Sequence, residues 1–537
     1  MKKLFFIIMF ILGINLQSDS QVLPLWQVSF NDSIPETNYS DKSKLDNEGN
    51  IIIMADGTNS SGSNVDYVII KYNPNGVKLW NRRYNGAGNN IDYPTDMVID
   101  KNNNIYITGR SWGGASKNDY LTLKYSPDGE LLWERRFNWL VSKNDEAYSI
   151  AIDSNNNVYV TGLATAAYNG NELYDMVTVK YNSTGDQKWV RSFIGYGDHT
   201  DWGYTVVCDL DGNIYVSGFT RSLKNGHDII TVKYDSLGNE IWQRRFYNKG
   251  DDFIRPLISK TDANNNLVIA SYSKSDSTYI DYLTYKYDSS GNVLWSHIYD
   301  RGVHNTDWIK DVIIDRENNI IISGSSWGSG SSYDFLTIKY SPTGNELWQS
   351  FVNDSNILTN DDVRKISIDS EQNLYVFGSC NTDYSVVCIY NKIGNVINKF
   401  RNMIIENAIS INIDEKGNII LVGIRGSKTI TAKYPNIITL VNQNDLKSQQ
   451  RYVLNQNYPN PFNPITSFEF WISKRGYITL EVYDVLGNKI KTLVNQEKAV
   501  GNYEVEFDGR ILASGIYFYS LTIDHNLVET KKMLLLK

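Results

Sequence analysis

Cysteine is nearly missing from this chain: 537 residues hold only Cys208, Cys380 and Cys388. So sparse and odd a set excludes a disulfide framework as the source of the fold. Cys380 and Cys388 flank a hairpin loop and either pair across it or stay as buried thiols. Positive charge is also in deficit, with a net charge of −8, which removes electrostatic support for a nucleic-acid partner. The five histidines, His199, His227, His297, His304 and His525, are scattered without H-E-x-x-H spacing, so nothing points to a zinc catalytic centre. Proline is scarce, with 11 residues, while 37 tyrosines and 13 tryptophans accompany many asparagines and glycines. That balance favours short strands joined by tight turns. No apolar stretch of spanning length follows the first residues, so no transmembrane segment is expected.

The N-terminus reads Met1-Lys2-Lys3, an apolar run from Leu4 to Ile14, then Ser18 and Ser20. This is the pattern of a secretory signal peptide, residues 1–20. No cysteine follows the run, which argues against a lipid anchor, and the mature chain is expected to be exported, soluble and monomeric.

A block of about fifty-three residues recurs eight times. Copies read "DYLTLKYSPDGELLWERRF", "DIITVKYDSLGNEIWQRRF" and "DFLTIKYSPTGNELWQSF", anchored by Tyr72, Tyr125, Tyr181, Tyr234, Tyr287, Tyr340, Tyr390 and Tyr434. Between Asp92 and Phe137, "DMVID", "IYITG", "YLTLKY" and "LLWERRF" are separated by turn signals, a four-stranded meander. The turn Asp-x-x-(Asn/Gly)-Asn recurs from Asp46 to Asp414 and reads as a hairpin. Its resemblance to a calcium loop lacks the bidentate acid an EF-hand needs, so no cofactor is expected and structural calcium is the minor alternative. Tryptophan follows the anchor tyrosine by eight residues at Trp80, Trp133, Trp189, Trp242, Trp295 and Trp348, as inter-unit packing would require. The seventh unit has Asn398 there. "LWQVSF", with Trp26, stands before the first unit, and "TITAKY" ends without a tryptophan strand. The two ends complement each other, so the first strand completes the last blade of a closed β-propeller. The count is eight blades. Seven is the alternative, because the last unit is short and lacks the Asp before its third strand.

These strings resemble the bacterial β-propeller repeat (SBBP) family over residues 21 to about 440. The resemblance implies a propeller, in a family of mostly unassigned molecular function whose name implies seven blades.

After a polar linker at residues 441–451, a second module runs from 452 to 537. Alternation places Ile478, Leu480 and Val482 on one face, and Tyr503, Val505 and Phe507 likewise, predicting a small Ig-like β-sandwich. The strings "NYPNPFNP", "VYDVLGNKI", "LASGIYFY" and "KKMLLLK" resemble the type A sorting domain of the type IX secretion system of the Bacteroidota and their relatives. Tyr458, Pro459, Asn460, Pro461, Phe462, Gly515, Tyr517, Lys531 and Lys532 carry the likeness. It implies engagement of that secretion machinery, export, and release or attachment at the cell surface.

An acid or amide recurs ahead of each first strand: Asn38, Asp92, Asp145, Asp201, Asp252, Asp307, Asp361 and Glu406. The series is either a carboxylate ring at the channel mouth or a set of caps on loop amides. Asp66, Asp119, Asp175, Asp228, Asp281 and Asp334 start third strands and read as structural. Trp112, Trp202, Trp308 and Trp327 lie in or beside the variable loops, where aromatics either stack on sugars or fill gaps between blades. "GRSWG" and "GSSWG" match G-x-S-x-G without the helix and the ordered Asp and His that a nucleophile elbow needs. The reading is a non-enzymatic binding or scaffold protein for an extracellular glycan or protein. The alternative is a carbohydrate-active enzyme that uses carboxylates at the channel mouth.

Overall fold

The computed structural model describes all of the chain except residues 1–21, 31–41, 59–64, 87, 89, 115–116, 140–142, 169–170, 196–199, 222–225, 248–257, 274–279, 302–305, 329–331, 353–359, 381–383, 427, 439–451, 455–456, 458, 473–475, 500 and 525. The predicted signal peptide and linker lie outside the described residues. Contacts divide the chain into two compact units, Met1–Asn436 and Ile437–Lys537.

The first unit holds eight four-stranded sheets. In the second of them, Asp92–Ile99, Ile105–Trp112, Asn118–Tyr125 and Leu131–Phe137 pair antiparallel in sequence order. The middle two strands are buried along nearly their whole length, because both faces of each sheet are covered by neighbouring sheets. The fourth strand alternates between exposed and covered positions, as an outer strand should. First strands of successive blades lie side by side, and the ring closes where Asn407–Ile413 meets Lys42–Leu45. There Asn412 Nδ2 donates to Ser43 Oγ at 2.6 Å. The eighth blade takes its fourth strand from the N-terminal side: Trp26–Phe30 pairs with Lys428–Tyr434, Trp26 opposite Lys433. Eight blades and closure by the first strand follow the sequence expectation.

The recurring turn is held by its own aspartate. Asp100 Oδ1 accepts from the amides of Asn102 and Asn104, and Oδ2 from Asn104 Nδ2 at 2.8 Å. Asn103 sits at φ 63°, where asparagine is tolerated. In several blades the same carboxylate also takes a buried ammonium, as Asp262 does from Lys286 at 2.7 Å.

A shared acceptor joins neighbouring blades. Pro127 O, in the turn between the third and fourth strands of blade two, accepts from Trp80 Nε1 at 2.9 Å and Lys71 Nζ at 3.0 Å of blade one. The pair recurs at Ser183, Ser236, Ser289 and Pro342. It also closes the ring, where Trp26 Nε1 and Lys433 Nζ both reach Pro74 O at 3.1 and 3.2 Å. The glycine of each such turn lies under the tryptophan: a Cβ on Gly129, at φ 79°, would stand 2.8 Å from the Trp80 ring. Blade eight has no such turn, since its fourth strand comes from elsewhere in the chain. Blade seven accordingly has Ile389 and Asn398 where the lysine and tryptophan would stand.

Cys380 and Cys388 are separate buried thiols. The second unit places Tyr452–Leu454, Ile465–Ile472 and Gly501–Asp508 in one sheet. Its other sheet holds Lys489–Lys498, Gly476–Tyr483, Gly515–Ile523 and Asn526–Leu535. Ile478, Leu480, Val482 and Phe507 share one core, with Tyr503 and Val505 packed against it.

Candidate binding site at the propeller channel

Among the described residues, five first strands open on a buried acid, Asp92, Asp145, Asp201, Asp307 and Asp361. Asp92 accepts from the amides of Gly86 at 2.6 Å and Trp112 at 3.1 Å. Asp145 accepts from Trp139 at 2.7 Å and Thr165 at 2.8 Å, Asp201 from Gly195 at 2.5 Å, and Asp307 from Trp327 at 3.2 Å. Asp361 is equally buried. Glu406 is less enclosed, accepting from Gly426 at 3.0 Å and facing Arg425 Nε at 3.4 Å. Asp252 lies outside the described residues. Burial pushes the Asp145 and Asp307 carboxyls up to about 6 against the opposing amide bonds, and Asp92 is raised by the same cause.

The third-strand aspartates stand close to these acids across the blade boundary, and arginines balance several of them. Arg83 reaches Asp66 at 2.8 Å, Arg136 reaches Asp119 at 3.1 Å and Arg245 reaches Asp228 at 3.3 Å. Blade five has Ile298 in the arginine's place. There Asp281, Asp300 and Asp307 bring carboxylate oxygens within 4.8 Å of one another, an all-oxygen set of the kind a hard divalent cation takes.

The tryptophans fall into separate groups. Trp308 donates from Nε1 to Tyr333 Oη at 3.2 Å, and Trp327 meets the Tyr333 ring edge-on at 4.8 Å, so these two share one tyrosine. Trp202 stacks on His227 at 5.9 Å and meets Tyr204 edge-on at 6.2 Å. Tyr204 in turn stacks on Tyr148 at 5.2 Å with 7° between planes. Trp112 is part-buried in blade two, apart from both groups. Trp202, Tyr204 and Tyr148 are half-buried on the innermost strands of blades three and four. Blade seven, opposite blade three, carries Asp362 between Lys310 and Arg364, each at 3.1 Å. The mouth thus carries Trp202, Tyr204 and Tyr148 on blades three and four, where Tyr148 Oη donates to Glu146 at 3.1 Å, and Lys310, Asp362 and Arg364 with Trp308 on blades six and seven.

Tyr148, Tyr204, Lys310 and Arg364 were not singled out by sequence reasoning, nor were Lys42, Lys44, Lys260 and Lys365 deeper in the channel. Their signal is departure from the repeat at innermost-strand positions that vary from blade to blade.

In the second unit, Pro459, Asn460 and Pro461 are exposed while Phe462 is buried. Phe462 N donates to Leu534 O at 2.9 Å, and Leu536 N returns a bond to Phe462 O at 3.0 Å. Asn460 Oδ1 accepts from Leu534 N at 2.9 Å. The opening motif is thereby tied to the closing one. Gly515 starts the strand that pairs with the last strand, and Tyr517 Oη donates to Ala513 O at 2.9 Å. Lys531 pairs with Glu529 at 3.0 Å, Lys532 is exposed, and Met533 and Leu535 fill the core. Tyr458 lies outside the described residues.

Comparison with known proteins matches residues 456–536 to the Secretion system C-terminal sorting domain family, and residues 81–114 and 140–169 to the Beta-propeller repeat (SBBP) family. An uncharacterized WD repeat-containing protein of Acanthamoeba polyphaga mimivirus is 23% identical over 425 residues, 67% of this chain and 29% of that relative's length. Among solved structures, a Bacteroides caccae protein of unknown function aligns at 12% identity and TM-score 0.31, covering 55% of this chain and 94% of that one. The periplasmic gluconolactonase of Pseudomonas aeruginosa aligns at 10% identity and TM-score 0.38, covering 74% and 98%. The chain therefore carries the SBBP β-propeller repeat followed by a secretion system C-terminal sorting domain, which indicates export through the type IX system to the cell surface or the extracellular space.

Proposed function

We propose that the protein is an exported binding protein, without catalysis of its own, whose channel mouth takes an extracellular glycan. The observation that carries this reading is the half-buried aromatic wall of Trp202, Tyr204 and Tyr148, facing the charged group of Lys310, Asp362 and Arg364. Aromatic faces accept the apolar side of a sugar ring, and flanking charges orient its hydroxyls. Asp92 and Asp145 support the non-catalytic reading, because both oxygens of each carboxylate accept from loop amides.

A glycan array followed by calorimetry on the full chain tests it. Trp202→Ala should weaken binding of the selected glycan at least tenfold, whereas Trp112→Ala, in a different blade, should leave it unchanged. No glycan binding, or binding indifferent to Trp202→Ala, would refute the reading. Glycan hydrolysis lost on Asp307→Asn would instead support the enzymatic alternative, which draws on the raised carboxyls of Asp145 and Asp307.

A further inference from the structure

The channel interior carries a charge opposite to that of the protein as a whole. At one level of the innermost strands, Lys42 of blade one binds Asp96 of blade two at 2.8 Å, and Lys365 of blade seven binds Asp311 of blade six at 2.9 Å. Both carboxylates are saturated. Asp96 also accepts from Ser149 Oγ at 3.1 Å and Ile150 N at 3.0 Å, and Asp311 accepts from Ile366 N at 3.1 Å.

Two residues further along its strand stands Lys44, and the matching position of blade five is Lys260, as the pairings Lys44–Ile52 and Lys260–Val268 show. Blades one and five are diametrically opposite in a ring of eight. The other six blades place Val98, Ala151, Val207, Ile313, Ser367 and Asn412 at this level, none of them charged. Neither Lys44 nor Lys260 has an ion pair among the described residues. Both are accessible to water yet closely surrounded by protein, the condition of a side chain lining an enclosed wet lumen. Four ammonium groups thus share this space with two carboxylates that are already committed.

We propose that Lys44 and Lys260 form an anion-binding site inside the channel, suited to a small dianion or to the acidic groups of a charged sugar. Ammonium groups gathered in one lumen repel one another, and a dianion between opposed walls offsets that repulsion. The lysines themselves report the strain. Burial pushes Lys44 down to about 8, with Lys260, Lys42 and Lys365 adding to the fall and Asp96 opposing it. Lys260 is lowered by burial and then by Lys365, with Asp311 and Asp96 opposing. The net charge of −8 repels an anion at long range, so its capture rests on the local field of these lysines. The proposal deepens the channel-ligand reading above and rests on it for the identity of any sugar, while the anion site itself is tested separately.

The test is calorimetric titration of the full chain with sodium sulfate at pH 7.5, against chloride at equal ionic strength. Saturable sulfate binding is expected, at least tenfold weaker in Lys44→Met and in Lys260→Met, absent in the double variant and kept in the Lys44→Arg, Lys260→Arg pair. The exposed-turn control Lys101→Gln should bind as the unaltered chain does. Raising the pH to 9.5 should weaken binding, because Lys44 is then largely neutral. A parallel titration with a galacturonate tetramer separates the sources. Binding that depends on the two lysines assigns an acidic sugar, and sulfate binding alone assigns a free anion. Sulfate binding that survives in the double methionine variant, or no saturable sulfate binding at all, overturns the proposal, whatever the neutral-glycan result at Trp202.

Discussion

At the scale of single residues, one carbonyl explains several features of the repeat together. The tryptophan, the lysine and the turn glycine meet at the acceptor between blades, so each depends on the others: Pro127 O takes Trp80 and Lys71, and Gly129 leaves room for the ring. The exception follows the same rule, since blade seven faces a blade without that turn and has Asn398 and Ile389 instead. Lysine also answers the turn aspartate. Burial alone would raise the Asp262 carboxyl, but the bonds from Lys286 and Asn266 hold it below the ordinary carboxylate range. Its stabilisation is therefore full above the unfolded value, about 3.9, and is lost as pH falls through the lower folded value. Lys286→Met strands a fully buried carboxylate and should cost about 3–5 kcal/mol at pH 7 in denaturant unfolding. The deficit should shrink below about pH 4, where Asp262 protonates in the unfolded chain too.

At the scale of elements, the strand order of the blades was legible because the repeat writes each turn with the same residues and each third strand with the same alternation. The exchange of the first strand was legible from Trp26 and Tyr434 alone. The acids at the starts of first strands could be read in two ways, since a capping carboxylate and a ring of binding carboxylates leave the same mark in a sequence. At Asp92 and Asp145 the bonds from Gly86, Trp139 and Thr165 are those a cap makes. The channel lysines were illegible for the opposite reason: Lys44 and Lys260 occur once each at positions that vary, where a charge reads as ordinary solvent exposure. Trp26–Phe30 contributes both a strand pairing and the closing bonds to Pro74. A chain lacking residues 22–30 should leave Lys428–Tyr434 as an open edge and self-associate through it. Light scattering should show oligomers, and limited proteolysis should cut first within blade eight. A monomer of unchanged protease resistance would contradict this role.

At the scale of the whole molecule, two compact units separate the propeller repeat from the sorting domain. The sorting module ties its first motif to its last strand through Phe462, Asn460 and Leu534, so its integrity depends on both ends being present. Phe462→Ala removes a ring at the centre of that core and should destabilise this unit by about 3–5 kcal/mol. In secretion assays the variant should accumulate inside the cell envelope, while the purified chain keeps the unfolding transition of the propeller. Normal export of a variant whose second unit is shown to be unfolded would separate folding of the address from its recognition.

The placement of Trp26 opposite Lys433 also sets an order in time. The strand Trp26–Phe30 leaves the ribosome before the blades and has its partner near the end of the propeller sequence, so it waits while every other blade is made. Pairing over so long a separation is intrinsically slow and cannot finish on a growing chain. A propeller with its closing strand in this position stays an open ring until its last repeat is present, however early its other blades form.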